Sequence, residues 1–258
     1  MPVGWLSPLC RALDGRRRPI LGFVRDDDAG WADDRLAALL DVTDLLGCPI
    51  DLAVIPAEAT PERAAWLLAR KASARARIGL HQHGWAHANH EPSGRPCEFG
   101  PSRSVAGVRA DLARGGARLR DLFGQAWDPI FTPPWNRCTA VVGPLLVELG
   151  VAVLSRDRSA GRLGVPGLLE CPVSLDWFAR DRGVRLTREA WIARAADAVS
   201  DGVAFGLMLH HAPTDDGELE ALADVLSLLV RHPAVELGPL LEVARAAAGP
   251  HAAEGARA

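Results

Sequence analysis

Short apolar segments alternate with longer amphipathic segments along most of this chain, and this alternation limits its possible folds more than any other feature. Apolar runs of about four to eight residues are typical of buried strands, whereas apolar residues repeated every three or four positions indicate helices. Repeated β/α units of this kind favour a parallel sheet covered by helices. The predicted strands are Ile20–Arg25, Ile50–Ile55, Ile78–His81, Pro129–Thr132, Ala152–Leu154, Leu168–Pro172, Ala204–Leu209 and Val235–Leu237.

Helical periodicity separates these strands. Leucines form one stripe in the first predicted helix, and Pro61 directly after Thr60 suits the first turn of the second. The number of β/α units, about seven or eight, indicates a barrel, with a doubly wound open sheet as the alternative. The predicted helices are Asp33–Leu46, Pro61–Arg77, Ser104–Phe123, Thr139–Leu149, Thr187–Ser200, Asp216–Arg231 and Pro239–Ala248.

The length of 258 residues fits one large α/β domain. We expect a single domain over residues 1–258, with a core of about 20–245, an N-terminal extension over 1–19 and a disordered tail over 249–258. Two segments interrupt the alternation. His83–Pro101 is a long loop rich in Gly, Pro and His, which is typical of a functional loop. Arg156–Gly167 is rich in Gly and Arg and is predicted to lie on the surface.

Composition excludes several classes of partner. The net charge of -3 and the pI near 6.2 give no electrostatic basis for binding nucleic acid or an anionic membrane. No apolar stretch approaches the ~18 residues of a membrane span, and the first 19 residues lack the apolar core of a signal peptide. We therefore expect a cytoplasmic protein, and the sequence does not indicate its oligomeric state. Five scattered cysteines without a Cys-x-x-Cys pair predict free thiols and no thiolate zinc site: Cys10, Cys48, Cys97, Cys138 and Cys171.

Four of the eight histidines lie in the ten residues from His81 to His90. His83 and His87 are separated by three residues, so that a helical turn or a tight loop can direct both rings to one ion. The segment starts where a predicted strand ends, and parallel β/α folds carry their chemistry at that end of the strands. A solvated histidine-rich loop is the alternative.

Three adjacent carboxylates, Asp26, Asp27 and Asp28, follow the first predicted strand. Their mutual repulsion has to be relieved by a cation, by protonation or by hydrogen-bond donors. One of them could instead cap the helix that follows, and plain solvation is a further alternative. Because one cap cannot account for three acids, we interpret this cluster as functional.

Three other strand ends carry polar or aromatic residues. The fourth strand leads into Pro133–Arg137, where two prolines fix a turn and Trp135 offers a rigid apolar wall. The sixth leads into Asp176 and Trp177, and the seventh ends in His210 and His211. Each segment alone is a weak signal, but their coincidence at strand ends indicates one common site.

In this order, from about Ile20 to about Pro213, these segments resemble the motifs of the polysaccharide deacetylases, the metal-dependent esterases of the carbohydrate esterase family 4 type. The family's first motif, Thr-Phe-Asp-Asp-Gly, aligns with the acidic cluster in two registers. We choose the register in which Asp27 is the base and Asp28 a metal ligand; Asp26 and Asp27 form the other. The second motif, His-Ser/Thr-x-x-His, resembles His83–His87, with Gly84 in the hydroxyl position.

The later motifs depart further from the family pattern. In the third, Arg-x-Pro-aromatic, Thr132 stands where the family has an arginine that orients the base, and either Arg25 or Arg137 could supply that charge. The fourth ends in Asp176-Trp177, with Val173 in place of its leading acid. The fifth, Leu-x-His, resembles Met208-Leu209-His210, with His211 directly behind.

The resemblance implies a distorted (β/α)7 barrel and one divalent ion, zinc by preference, held by Asp28, His83 and His87. It further implies removal of an acetyl group from an N-acetylated sugar by attack of metal-bound water, with Asp27 as base and His210 as the acid that protonates the amine. Its alternatives are hydrolysis of a small non-carbohydrate amide and a non-catalytic carbohydrate-binding domain. The expected substrate-binding residues are Trp135, Asn136, Trp177 and His211, and possible orienting residues are His81, His90 and Glu91.

Overall fold

The computed structural model describes residues 4–200 and 202–249, so that, apart from Gly249, the tail predicted over 249–258 lies outside the described residues. Its strands alternate with helices as the sequence predicts. The first strand is longer than predicted and carries the acidic cluster within it. The strands are β1 (Ile20–Ala29), β2 (Ile50–Val54), β3 (Ile78–His83), β4 (Ile130–Thr132), β5 (Val153–Leu154), β6 (Leu169–Glu170), β7 (Leu175–Asp176), β8 (Arg180–Asp181), β9 (Val184–Arg185), β10 (Ala204–His210) and β11 (Val235–Leu237).

The main sheet is parallel and follows the order β6-β5-β4-β3-β2-β1-β10-β7, with β11 paired to the start of β1. The sheet curls into a half-barrel, and within the described residues β6 and β7 do not pair with each other, so a seam between them stays open. The predicted α/β class and distorted barrel are therefore confirmed. The sequence did not predict β7 as a separate strand, nor the antiparallel pair β8–β9.

Two of the predicted helices have their predicted bounds, and the others differ at one or both ends. Local capping explains several boundaries: the Thr60 hydroxyl accepts a hydrogen bond from the Arg63 amide at 3.2 Å, and Asp215 accepts one from the Glu218 amide at 2.8 Å. The helices are α1 (Ser7–Asp14), α2 (Asp33–Leu46), α3 (Pro61–Ser73), α4 (Val105–Phe123), α5 (Val142–Glu148), α6 (Arg188–Ser200), α7 (Asp216–Arg231) and α8 (Leu240–Ala248).

Helix α1 was not predicted, and it packs against α6. It buries Leu9 and Leu13 in the same apolar cluster that contains Val24 of β1 and Leu207 of β10. All five cysteines are free thiols, as predicted. Among the described helices, none combines the length and the apolar character that crossing a membrane requires.

Candidate metal centre and catalytic cleft

The three acids of β1 lie in three different environments. Successive side chains of a strand point to opposite faces, so Asp26 and Asp27 leave the sheet on opposite sides. Asp28 has a left-handed backbone (φ 69°), and the pairing of β1 with β2 shifts register between Asp26 and Ala29. This irregularity turns the Asp28 side chain away from its neighbours and relieves the repulsion within the cluster.

Asp28, His83 and His87 converge at the carboxyl ends of β1 and β3. Asp28 Oδ1 lies 3.1 Å from His83 Nε2 and 3.2 Å from His87 Nε2, and one ligand atom from each residue lies within 4.8 Å of the other two. His83 Nδ1 lies 3.0 Å from the Thr132 carbonyl oxygen, which fixes the ring and leaves Nε2 toward the other two ligands. Two imidazoles and one carboxylate are a donor set that suits zinc and other divalent ions.

The charge state of the cluster also suits a cation. Burial by itself raises the pKa of Asp28, but hydrogen bonds from His83 and His87 outweigh burial and hold this pKa well below its ordinary value. The carboxylate is therefore ionised and available as a ligand. His83 is buried, whereas His87 is 12% exposed and Asp28 15% exposed, so the cluster is not fully closed to solvent.

The turn between the two histidines explains why glycine stands in the hydroxyl position of the family motif. Gly84 has a φ of +60°, and a Cβ built on it would lie 2.1 Å from Glu98 Oε2 and 2.7 Å from the Pro134 ring. The buried Glu98 carboxylate accepts hydrogen bonds from the amides of Trp85 (3.2 Å) and Ala86 (2.8 Å). Glu98 thus holds the turn from outside, in space that a side chain at residue 84 would occupy.

Asp27 forms a two-pronged ion pair with Arg25 from the same strand. The distances are 2.7 Å from Nε to Oδ1 and 2.9 Å from an Nη atom to Oδ2, and both side chains are buried. Arg25 also donates to Ser155 Oγ at 2.8 Å and to Asn136 Oδ1 at 2.7 Å. Of the two arginines predicted as possible partners of the candidate base, Arg25 is therefore the one that contacts Asp27. The Thr132 hydroxyl oxygen instead lies 2.9 Å from His81 Nε2, within hydrogen-bond distance.

His210 lies beside Asp27 on the neighbouring strand, since the two residues are register partners in the pairing of β1 with β10. Its side chain is half-buried. On the other side of β10, Asp176 of β7 is the register partner of Met208, two residues before His210. Burial raises the pKa of Asp176. The pairing of β1, β10 and β7 therefore brings Asp27, His210 and Asp176 to the same edge of the sheet.

His211 does not share that cleft. Its ring lies 2.6 Å from Asp26 Oδ2 through Nδ1 and 2.7 Å from the Trp31 carbonyl oxygen through Nε2, and both His211 and Asp26 are fully buried. Burial opposes a charge on the ring, but the Asp26 carboxylate and these two hydrogen bonds raise the pKa of His211 to about 9. Both ring nitrogens are thus occupied, which differs from the predicted contact with substrate.

Two further predicted substrate contacts also have other positions. Asn136 is 8% exposed and holds Arg25, and its Nδ2 lies 3.1 Å from Met208 Sδ. Trp177 is 5% exposed and packs edge-on against Trp191 at 4.8 Å between ring centroids, while its indole N–H donates to a glutamate of α7. Side chains this buried offer little surface to a substrate.

Two tryptophans contact His87, one of the candidate metal ligands. The Trp135 ring lies 4.4 Å from the His87 ring, and the Trp31 ring lies 5.0 Å from it, both measured between centroids. Trp135 was predicted as a wall of the cleft. Trp31 was missed, although its position three residues after Asp28 in the same strand-end loop was a usable signal. Of the possible orienting residues, His81 is buried beside the site, whereas His90 is exposed and Glu91 bonds Ser102.

Comparison with known proteins gives matches among solved structures only. A candidate polysaccharide deacetylase from Mycobacterium smegmatis is 19% identical, with a TM-score of 0.69, over 97% of this chain and 94% of that one. A family 4 acetyl xylan esterase from Clostridium thermocellum, in complex with a cobalt ion, is 20% identical (TM-score 0.57, 86% and 89%). A family 4 pseudoenzyme from Bacillus anthracis is 12% identical (TM-score 0.59, 88% and 66%).

No family model and no curated protein matches the sequence. The likeness therefore lies in the fold, and it extends over nearly the whole chain. The protein has the fold of the polysaccharide deacetylases and family 4 carbohydrate esterases, as its resemblance to their motifs predicts.

Proposed function

We propose that this protein is a divergent member of the polysaccharide deacetylase family and a metal-dependent hydrolase that removes an acetyl group from an N-acetylated sugar. One observation carries the proposal: the cluster of Asp28, His83 and His87 lies beside a second, buried carboxylate, Asp27, which a guanidinium holds in place. A metal triad next to a separate, oriented carboxylate is the arrangement that hydrolysis of an amide by activated water requires.

Each residue has a distinct task in this proposal. Asp28, His83 and His87 hold the divalent ion, for which zinc fits the donor set best. The bound ion supplies Lewis acidity toward the acetyl carbonyl and lowers the pKa of water. Asp27 accepts the proton of the attacking water, and two hydrogen bonds from Arg25 fix the direction of its carboxylate.

His210 supplies the proton that the departing amine requires. It neighbours Asp27 across the β1–β10 pairing, and its half-buried ring can reach the cleft. His211 is the less suitable acid, because Asp26 and the Trp31 carbonyl already engage both of its ring nitrogens.

The fold alone does not carry activity, since one protein of this fold is described as a pseudoenzyme. Presence of both Asp27 and His210 favours turnover over simple sugar binding. The complex of a related fold with cobalt supports a divalent ion at this site. Hydrolysis of a small non-carbohydrate amide would use the same residues. The two activities are therefore distinguished by which substrate the protein hydrolyses.

The test is acetate release from an N-acetylglucosamine oligomer and from a small acetamide, with protein loaded with zinc and its metal content measured. Asp27→Asn is expected to keep the metal and lower turnover by about 10²–10⁴, the usual contribution of a positioned base. His83→Ala is expected to lose the metal. The matched control is His90→Ala, an exposed histidine of the same loop, which should retain both metal and turnover.

Several outcomes contradict the proposal. Metal binding without acetate release from either compound favours a non-catalytic domain. Release from the small acetamide alone favours the non-carbohydrate amidohydrolase. Loss of metal in Asp27→Asn shows that Asp27 is a ligand and that the register of the acidic motif is wrong.

A further inference from the structure

Trp31 follows the carboxyl end of β1, three residues after Asp28. Its side chain is 37% exposed, although an indole is among the most costly side chains to leave in water. The exposed ring contacts the His87 ring, and Trp135 contacts the same imidazole from the loop after β4. Two indoles from different loops thus meet at one predicted metal ligand.

The backbone around Trp31 is held in a specific and unfavourable conformation. Asp28 and Ala32, on either side of it, both have left-handed φ angles (69° and 45°), which residues other than glycine rarely adopt. Strain of this kind persists only where the surrounding structure fixes it, and it concentrates at binding and catalytic sites. The Trp31 amide also donates to the Asp28 carbonyl, which ties the tryptophan directly to a metal ligand.

A buried ion pair fixes the same loop from below. His211 donates to the Trp31 carbonyl and is held in turn by Asp26, with both charged side chains fully buried. Removing two charges from water is expensive, and buried pairs of this type contribute more to a defined geometry than to stability. Here that geometry is the position of one exposed indole beside the metal ligands.

From these observations, and resting on the proposed function, we infer that Trp31 is a specificity-determining residue that, with Trp135, stacks on the pyranose ring of the acetylated sugar. The apolar C–H face of a pyranose is uncharged and flat enough to cover an indole. A small acetamide has no such face. The pair of indoles therefore selects a sugar ring at the acetyl-bearing unit, and the Asp26–His211 pair acts as a positioning device for it.

The test uses Trp31→Ala and Trp31→Phe in the full-length protein, with equilibrium binding of an N-acetylglucosamine pentamer measured by calorimetry on protein freed of metal with EDTA. The Ala variant is expected to raise Kd about tenfold, which corresponds to ~1.4 kcal/mol. The Phe variant should retain most of the affinity, because an aromatic face remains. In assays of acetate release from the pentamer, Trp31→Ala should mainly raise KM and change kcat less.

The matched control is Leu45→Ala, which truncates another exposed apolar side chain (79% exposed) on α2 and should bind like the unaltered protein. Thermal unfolding checks that Trp31→Ala folds. Equal affinity in the Ala variant and the unaltered protein overturns the inference while leaving acetate release, and thus the proposed function, intact. No pentamer binding by the unaltered protein also overturns it. Pentamer binding that depends on Trp31, without acetate release from any substrate, supports the inference and contradicts the proposed function.

Discussion

Replacing Arg25 by Met should destabilise the protein strongly, because it would leave the Asp27 carboxylate buried without its partner. The Arg25 side chain is 0% exposed and that of Asp27 is 2% exposed. Breaking a buried pair by removing one partner typically costs about 3–5 kcal/mol. That is a large share of the ~5–15 kcal/mol by which folded domains are stable.

The assay is urea unfolding at pH 7 with EDTA present, so that metal binding does not add to the measured free energy of unfolding. Arg77→Met is the matched control. Arg77 forms the same two-pronged contact with Glu242 (2.6 and 2.7 Å), but the two side chains are 58% and 57% exposed. A pair exposed to this extent contributes at most about 1 kcal/mol.

The double variant Arg25→Met/Asp27→Leu separates the charge from the packing. It removes the unpaired carboxylate, so it should recover a large part of the stability that Arg25→Met loses. The reasoning is refuted if Arg25→Met costs no more than Arg77→Met. It is also refuted if Asp27→Leu adds its own loss to that of Arg25→Met instead of offsetting it.

Two further substitutions test the turn between His83 and His87 and the buried carboxyl group of Asp51 in β2. Gly84→Ala should lower the free energy of unfolding by about 2–3 kcal/mol, because residue 84 has a left-handed backbone and the added Cβ would clash with Glu98. The control Gly47→Ala, with a similar φ of 67° but open space around it, should lower it by about 1 kcal/mol. Equal losses in the two variants would contradict the clash. Burial raises the pKa of Asp51 to about 7, so the folded state retains a proton that the unfolded chain loses near pH 4, and this residue makes stability fall as pH rises between ~4 and ~7. In urea unfolding, Asp51→Asn should therefore become more stable relative to the unaltered protein as the pH rises from 5 to 8. A constant difference in the free energy of unfolding over that range would show that the pKa of Asp51 is not raised.

Local signals made most of the helices and strands predictable. Helix α2 has its predicted bounds because its leucine stripe is long and Gly47 ends it in a left-handed conformation. Helix α7 also starts and ends as predicted, with Asp215 as its cap. Helix α1, β7 and the β8–β9 pair were not predicted from the sequence, because each is short and is stabilised only by tertiary packing or by a single neighbouring strand.

Within the candidate site, spacing and strand position brought Asp28, His83 and His87 together correctly in space. The direction of the other side chains was harder to predict. His210 and His211 are adjacent at the end of β10, so they point to opposite faces, and only His210 can share a face with its register partner Asp27. Trp135 and Asn136 both have left-handed φ angles (55° and 57°), which no sequence pattern indicated, and these angles separate a half-buried ring from a buried amide.

The guanidinium beside the proposed base comes from β1 and not from the segment that follows β4. Arg25 extends from β1 across the interior of the half-barrel to Ser155 and Asn136, which follow β5 and β4. A guanidinium from the Thr132 position on β4 would enter the same interior, so it is not needed when Arg25 supplies the charge. Thr132 is then free to bond His81. Because Arg25 also connects strands across the curled sheet, its contacts link the orientation of the Asp27 carboxylate to the curvature of the fold.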